Sequence, residues 1–419
     1  MLDIKYIREN PEIVRTAIRN KGVNLDLDLL LEKDREVAKL KGNVEELAAE
    51  KNKLTEKIKT AGNKEQLKEE ARQLGEKQAA LNEKLKIAED AFKLMMAKTP
   101  QIPADFAPVG LTDADNITVK EVGTKPTFDF TPLDHVELIE KNNWGEFGKV
   151  TKVCGTRTYA LKGNLLKYEL ALIQYTLDKL MAKGFTALNV PALAFEKAFF
   201  GTGHFPGDEE NMYYLAKDKQ YLTGTCEVVL NSLHADEILK EDDLPILYTG
   251  LSPCFRREAG AAGKDTRGLY RVHQFNKIEQ YVICKNDLEE SNKWHDFLLK
   301  NTEEILADLE LPYRILECCT GDMGVGKYRM NDVECWRPAL NKYGETHSCS
   351  TILDWQARRT NTRYRDNKTG KVQFVHTLNN TGLATPRIFV ALLENHQTKD
   401  GNVKIPKAIR PYMGNKEIL

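Results

Sequence analysis

Between about residues 27 and 98, apolar side chains recur with a seven-residue period. Leu30, Val37, Val44 and Ile58 form one seam, which Lys51 interrupts, and Leu40, Leu47 and Leu54 form a second. The pattern breaks over 60–66 (TAGNKEQ). It resumes with Leu67, Leu74, Leu81 and Ala88, and with Ala71, Leu85 and Phe92 alongside. Two heptad arms around a short Gly-Asn turn predict an antiparallel helical hairpin, a coiled-coil arm. Ahead of it, Asn10-Pro11-Glu12 predicts the start of a short helix that Gly22 ends. Pro100 and Pro103 end the arm, and a linker rich in Pro, Gly and Asp runs to about residue 130.

Beyond the linker the periodicity becomes mixed. Residues 164–185 have helical apolar spacing with Gly184 as a stop, and an extended run carrying Pro191 follows. Strand-like runs recur at 245–255, 270–284 and 371–378, and helix-like runs at 286–308 and 386–396. Strands and helices in this order, without regular β-α-β alternation, predict an α+β domain on a mostly antiparallel sheet. The expected division is residues 1–110 for the domain with the arm and 111–419 for the mixed domain.

Charge and cysteine usage narrow the function classes. The 419 residues carry 61 Lys and Arg against 62 Asp and Glu, so contact with nucleic acid must come from local patches. None of the eight cysteines forms a C-x-x-C pair, which fits reduced thiols and not a disulfide framework. No apolar run approaches the roughly 18 residues of a membrane span, and the charged N-terminus has no apolar leader, so a cytoplasmic location is expected. The P-loop and Rossmann fingerprints are missing from the sequence.

The densest chemistry lies in CFRREAGAAGKDTRGLYRVHQFNKIEQY, residues 254–281. Two strand-like runs flank a glycine-rich loop, as in a long-looped hairpin. Strand alternation puts Arg271, His273, Phe275, Lys277 and Glu279 on one face, with Arg256 and Glu258 sharing a face of the partner strand. Such a face suits an anionic ligand with a flat ring and an amine. Three further segments stand out: TGTCEVVL (223–230), where Thr225 and Glu227 share a strand face; ETHSCS (345–350), with Glu345 and Ser348 as oxygen ligands; and HTLNNTGLATPR (376–387), a strand, a polar turn and a helix with Arg387 in its first turn. Taken singly, Arg–Glu pairs on adjacent strands are ordinary cross-strand ion pairs and a lone phenylalanine is core. Three converging ligands are needed for zinc; with Cys226 on the opposite strand face from Thr225 and Glu227, no zinc site is expected among Cys226, Cys254 and Cys349.

Together and in this order, the segments resemble the class II aminoacyl-tRNA synthetases in the common bacterial-type form of the seryl-tRNA synthetases. FRRE with its glycine-rich loop and RVHQFNKIE is similar to motif 2, GLATPR with the following helix to motif 3, and residues 164–191 to motif 1. The TCE segment, GTGHFPG (201–207), QARRTNTRYR (356–365) and the N-terminal helical hairpin also resemble that family. Asn379-Asn380-Thr381-Gly382 stands where the family usually has N-G-S-G, Gly344 precedes Glu345 where arginine is usual, and Pro386 replaces glycine before Arg387.

The resemblance implies a ligase that activates L-serine with ATP and charges tRNA(Ser), and tRNA(Sec) where present, working as a homodimer with Mg²⁺. In its terms Arg256, Glu345 and Arg387 are catalytic. ATP is held by these residues with Arg257, Glu258, Arg271, Val272, Phe275, Thr346, His347 and Ser348. Thr225, Cys226, Glu227, Glu279, Asn379 and Thr381 frame the serine, Glu345 and Ser348 hold the metal, and the arm binds tRNA. His273 reads as structural. Two other readings are a synthetase paralogue that loads serine onto a carrier protein or small molecule, and a coiled-coil interaction protein with a decayed catalytic domain. The arm argues against the first, and the presence of Arg256, Glu279, Glu345 and Arg387 against the second.

Overall fold

The computed structural model describes every residue except 61, 63, 261, 262 and 264–266. Its contacts divide the chain into Met1–Pro100 and Gln101–Leu419. In the first unit lie helices α1 (Ile4–Glu9), α2 (Pro11–Asn20), α3 (Leu27–Thr60) and α4 (Glu65–Ala97). The sequence pattern missed α1, whose six residues are too few to show a period. Its Asp3 cap accepts the Lys5 N–H at 2.8 Å. Asn10 ends α1 as well as preceding α2, and its side chain makes no capping bond to α2.

At about 1.5 Å per residue, α3 is about 50 Å long. It runs antiparallel to α4, with Lys41 meeting Glu89 at 2.8 Å. The seam residues named above are all buried or half-buried, as two helices alone can cover only part of each apolar stripe. Lys51, which breaks the seam, has room because α4 offers Gly75 there. A Cβ on Gly75 would stand 3.7 Å from the Lys51 amine. Of the expected Gly-Asn turn, Gly62 is described, whereas residues 61 and 63 lie outside the described residues.

An eight-stranded sheet organises the second unit. Its strands are β1 (Ile117–Val122), β2 (Thr186–Asn189), β3 (Ile246–Phe255), β4 (Gln274–Cys284), β5 (Tyr313–Glu317), β6 (Arg329–Arg337), β7 (Lys342–Leu353) and β8 (His376–Ala384). The order across the sheet is β1-β5-β6-β7-β8-β4-β3-β2. Neighbours are antiparallel except β2 and β3, which are parallel. Three helices pack on it: α5 (Asn164–Ala182), α6 (Leu288–Asp308) and α7 (Thr385–Asn395). Along β4 the alternation is clean. Ile278, Val282 and Cys284 join the core that holds Leu172, Leu306 and Phe389 of the helices, whereas Tyr281 and Ile283 face the other way into a second cluster.

Several expectations need correction. The linker before residue 130 holds a strand that the sequence pattern missed: β1 pairs with β5 at the sheet edge. The second strand of the hairpin begins at Gln274, not 270, so Arg271 and His273 precede it. Arg256 and Glu258 likewise follow the end of β3. The polar turn at 379–382 is part of β8, held between β4 and β7, with one extra residue at Gly382. Thr225 and Glu227 do not share a strand, since Glu227–Leu230 forms a short helix.

Candidate active site

A cavity opens on the sheet face opposite the Ile278 core, where β4, β7 and the end of β8 meet the chain that follows β3. Phe275 and Lys277 line it from β4, as alternation requires. Glu345 and Ser348 line it from β7 although they are three positions apart, a spacing that would put them on opposite faces of a regular strand. The register slips there: Val333 pairs with His347 and Glu334 with Glu345, leaving Thr346 as the extra residue of a bulge. That bulge returns Glu345 to the face of Ser348. The slip at Gly382, between Leu383 opposite Ile278 and Thr381 opposite Glu279, does the same for Thr381 and Ala384, which both line the cavity.

Arg256 enters from beyond β3. Its Nε donates to the Gly224 carbonyl at 3.3 Å and its guanidinium stands 5.4 Å from the centre of the Phe275 ring. Glu258 adopts φ 55°, in the left-handed region, and meets Arg271 at 3.3 Å. Arg387 sits in the first turn of α7 and contacts the Glu345 carboxylate at 2.9 Å, with Tyr270 beneath its guanidinium. Burial among protein atoms pushes the Glu345 carboxyl up, but Arg387, then Arg256 and Lys277, outweigh it and hold it below the ordinary carboxylate range. Its side chain is still 42% exposed, because it forms the wall of an open cavity.

Beneath the cavity lies a buried charged group. Lys277 contacts the Glu279 carboxylate and donates to the Thr225 hydroxyl at 3.2 Å, and that hydroxyl donates to Glu279 at 3.2 Å. Desolvation opposes the Lys277 ammonium, and Glu279 outweighs it, so the amine titrates above the ordinary lysine range. Desolvation pushes the Glu279 carboxyl up, only partly countered by Lys277. Glu227 accepts from the Gln356 amide at 2.7 Å. Burial raises its carboxyl, but Lys327, His204 and that amide bring it below the usual value.

Not every expected residue reaches the cavity. Glu258, Arg271, Val272 and Thr346 line it, whereas Arg257 is exposed with its N–H bonded to the Asn211 carbonyl. His347 turns away and is buried, desolvation holding its imidazole down to about 4. Cys226 points to the Ser252 hydroxyl at 3.1 Å. Asn379 is buried two strand positions before Thr381, hence on the same face, its amide nitrogen without a protein partner. His273 accepts no cavity role; its Nδ1 bonds the Arg256 carbonyl at 2.9 Å. Sequence reading gave Lys277 no function, although its alternation with Phe275 and Glu279 is the signal that places it. Tyr270 and Gln356 carry no such local signal.

The chain aligns with known proteins over its full length. Residues 1–103 match the family described as Seryl-tRNA synthetase N-terminal domain, and residues 213–396 the tRNA synthetase class II core domain (G, H, P, S and T). The chain is 50% identical over 422 residues to the serine–tRNA ligase of Deinococcus radiodurans, covering 100% of this chain and 99% of the relative. With that of Treponema denticola it shares 41% over 420 residues, covering 99% of each. The crystal structure of seryl-tRNA synthetase from Pyrococcus horikoshii complexed with ATP superposes with a TM-score of 0.91 at 36% identity, covering 100% of this chain and 99% of that one. Agreement this close, running through both the helical arm and the antiparallel catalytic sheet, makes the chain a member of the seryl-tRNA synthetase family.

Proposed function

We propose that this chain condenses L-serine with ATP to seryl-adenylate and passes the seryl group to the terminal ribose of tRNA(Ser), and of tRNA(Sec) where it is present. The observation that carries the reading is a single cavity with guanidinium groups on its walls and a buried Lys277–Glu279–Thr225 group at its base. The first suits a polyphosphate, the second an amino acid. Phe275 stacks on the adenine, the Val272 backbone reads its edge, and Glu258 accepts from its amino group. Arg256 clamps the α-phosphate and Arg387 the distal phosphates, with Arg271 beside them. Glu279 and Glu227 hold the serine ammonium, and Thr381 and Asn379 contact its hydroxyl.

A serine carboxylate oxygen attacks the α-phosphorus in line with the departing pyrophosphate. One P–O bond forms as another breaks, so no protein nucleophile or proton is needed. The chain's contribution is positioning and charge neutralisation. A ribose hydroxyl then attacks the seryl carbonyl and AMP leaves. Mg²⁺ fits Glu345 and Ser348, two hard oxygen donors brought to one face by the bulge, the first kept ionised by Arg387. When bound there it would supply neutralisation of phosphate charge. Pyrophosphate exchange over an amino-acid panel, with serylation of tRNA(Ser) measured alongside, tests the reading. Serine-dependent exchange and charging are expected; exchange with another amino acid, or no charging, overturns it.

Three expectations arise here. As pH falls from about 8 to about 5, KM for serine rises before KM for ATP. Glu279, whose carboxyl is pushed up, loses the charge that binds the ammonium, while Glu345, held low, keeps its own. Both constants rising together would count against the assignment. Thr381→Ser changes serine exchange by less than about threefold and weakens rejection of threonine by up to about tenfold, since the lost methyl is the steric element. A large loss of serine exchange would show the methyl is part of the serine fit. Finally, Leu166, Leu170 and Met181 of α5 stand 43%, 58% and 53% exposed, an apolar stripe that supports a two-fold homodimer. Light scattering that reports a monomer at micromolar concentration is the contrary result. A cytoplasmic location fits a chain with no described helix long and apolar enough to cross a membrane.

A further inference from the structure

Next to the cavity, on the side of β5 and β6, three side chains have no part in the reaction derived above. Cys318 follows β5, Asp332 lies on β6, and Asp322 is on the loop between the two strands. One potential ligand atom from each lies within 4.8 Å of the others, and among the described residues no other three such groups converge. We propose that Cys318, Asp322 and Asp332 form a site for a divalent metal ion of the zinc class, separate from the Mg²⁺ held by Glu345 and Ser348.

Hydrogen bonding around the three groups resembles an outer ligand shell. The Asn116 amide donates to one Asp322 oxygen at 2.8 Å, and Asn116 is itself fixed by the Cys319 N–H at 2.9 Å. The Ser348 hydroxyl donates to one oxygen of Asp332. The Cys318 sulfur accepts the Asp332 backbone N–H. Each ligand is thus oriented by one bond while keeping electron pairs free. The second observation is the other oxygen of Asp332. That side chain is only 9% exposed, yet its Oδ1 is buried without a protein partner. A buried carboxylate oxygen in that condition is costly unless a proton or a cation meets it. The charges acting on Asp332 most strongly, Glu345, Asp322 and Glu334, share its sign, so the local field favours a cation.

The donor set selects the ion. A thiolate with two carboxylates suits a borderline ion such as Zn²⁺ better than Mg²⁺, which prefers oxygen alone. Bonds of about 2.3 Å to sulfur and about 2.0 Å to oxygen need ligand atoms about 3.5 Å apart, within reach of small side-chain rotations. Binding replaces the thiol proton, which passes to solvent, with a metal–sulfur bond. Three protein ligands leave a fourth position open, and Asp322 and Asp332 border a polar cavity that also touches Glu345 and Arg387.

The test uses the full chain, stripped with chelator, without nucleotide, and titrated with Co²⁺ alone. One equivalent should bind, giving a thiolate-to-cobalt charge-transfer band that Zn²⁺ abolishes by displacement. Cys318→Ser should lose the band, and Asn116→Ala, which removes only the orienting amide, should weaken binding at least about tenfold. Glu345→Gln, in the Mg²⁺ site, should leave the band intact. The proposal fails if the unaltered protein retains no Co²⁺, if the band survives Cys318→Ser, or if Glu345→Gln removes it. Should Cys318→Ser not fold, the wild-type titration and Asn116→Ala still decide.

Discussion

Deleting residues 27–98 leaves serine-dependent pyrophosphate exchange within about twofold of the intact protein and lowers serylation of tRNA(Ser) by about three orders of magnitude. Every group assigned to ATP, Mg²⁺ or serine lies beyond residue 220, and the large core that supports them begins at Leu138. The deleted helices bury their apolar stripe mainly against each other. On their surface near the tip, Lys53, Lys57, Lys59, Lys64, Lys68 and Arg72 offer cations to a phosphate backbone, whereas Lys51 is half-buried against Gly75 and is not among them. Some already have partners: Arg72 meets Glu69 at 2.7 Å and Glu76 at 2.5 Å, and Lys59 meets Glu56 at 2.6 Å. Exposed pairs of this kind are worth little and exchange readily for phosphate. Charging by the intact protein should therefore fall steeply with salt while exchange does not. Serylation near the intact rate after the deletion would remove the arm from tRNA binding. Loss of exchange would show that it supports the catalytic unit.

Arg387→Ala lowers kcat/KM for exchange by about three orders of magnitude, and Arg256→Ala by a similar factor. Both guanidiniums line the cavity, and Arg387 pairs with the Glu345 carboxylate at 2.9 Å. Arg387→Lys should recover only part of the loss, because an ammonium cannot make the two parallel bonds of a guanidinium. In Arg256→Ala the carbonyl of Gly224 and the Phe275 ring also lose their partner, so KM for ATP should rise with the fall in kcat. Circular dichroism and melting temperature check that each variant folds. A fall below about tenfold in either alanine variant would mean that its arginine is structural, not a phosphate clamp.

Local rules were enough for part of the site. Phe275, Lys277 and Glu279 share a face because alternation along one strand needs no knowledge of its neighbours. The heptad seams located α3 and α4 for the same reason: each residue's partners sit three or four positions away. Even Lys51, an apparent fault in the seam, was legible as one, though only α4 reveals that Gly75 makes room for it.

What the sequence by itself determined was the set of elements with an internal period, the residue types whose chemistry suits phosphate, metal or ammonium, and the family they resemble. Tertiary structure decided which of them meet. Glu345 and Ser348 come to one face only because β7 slips against β6 at Thr346, and a bulge is a property of two strands in register, not of either alone. Residues 379–382 read as a polar turn, yet they are strand, because β4 and β7 on either side satisfy their backbone groups. Thr225 reaches Glu279 from 54 positions away, two residues ahead of a short helix that no four-residue pattern could announce. Arg387 finds Glu345 across 42 positions. The free energy of these contacts comes from burial and charge pairing across the sheet, and their geometry exists only once the strands have paired.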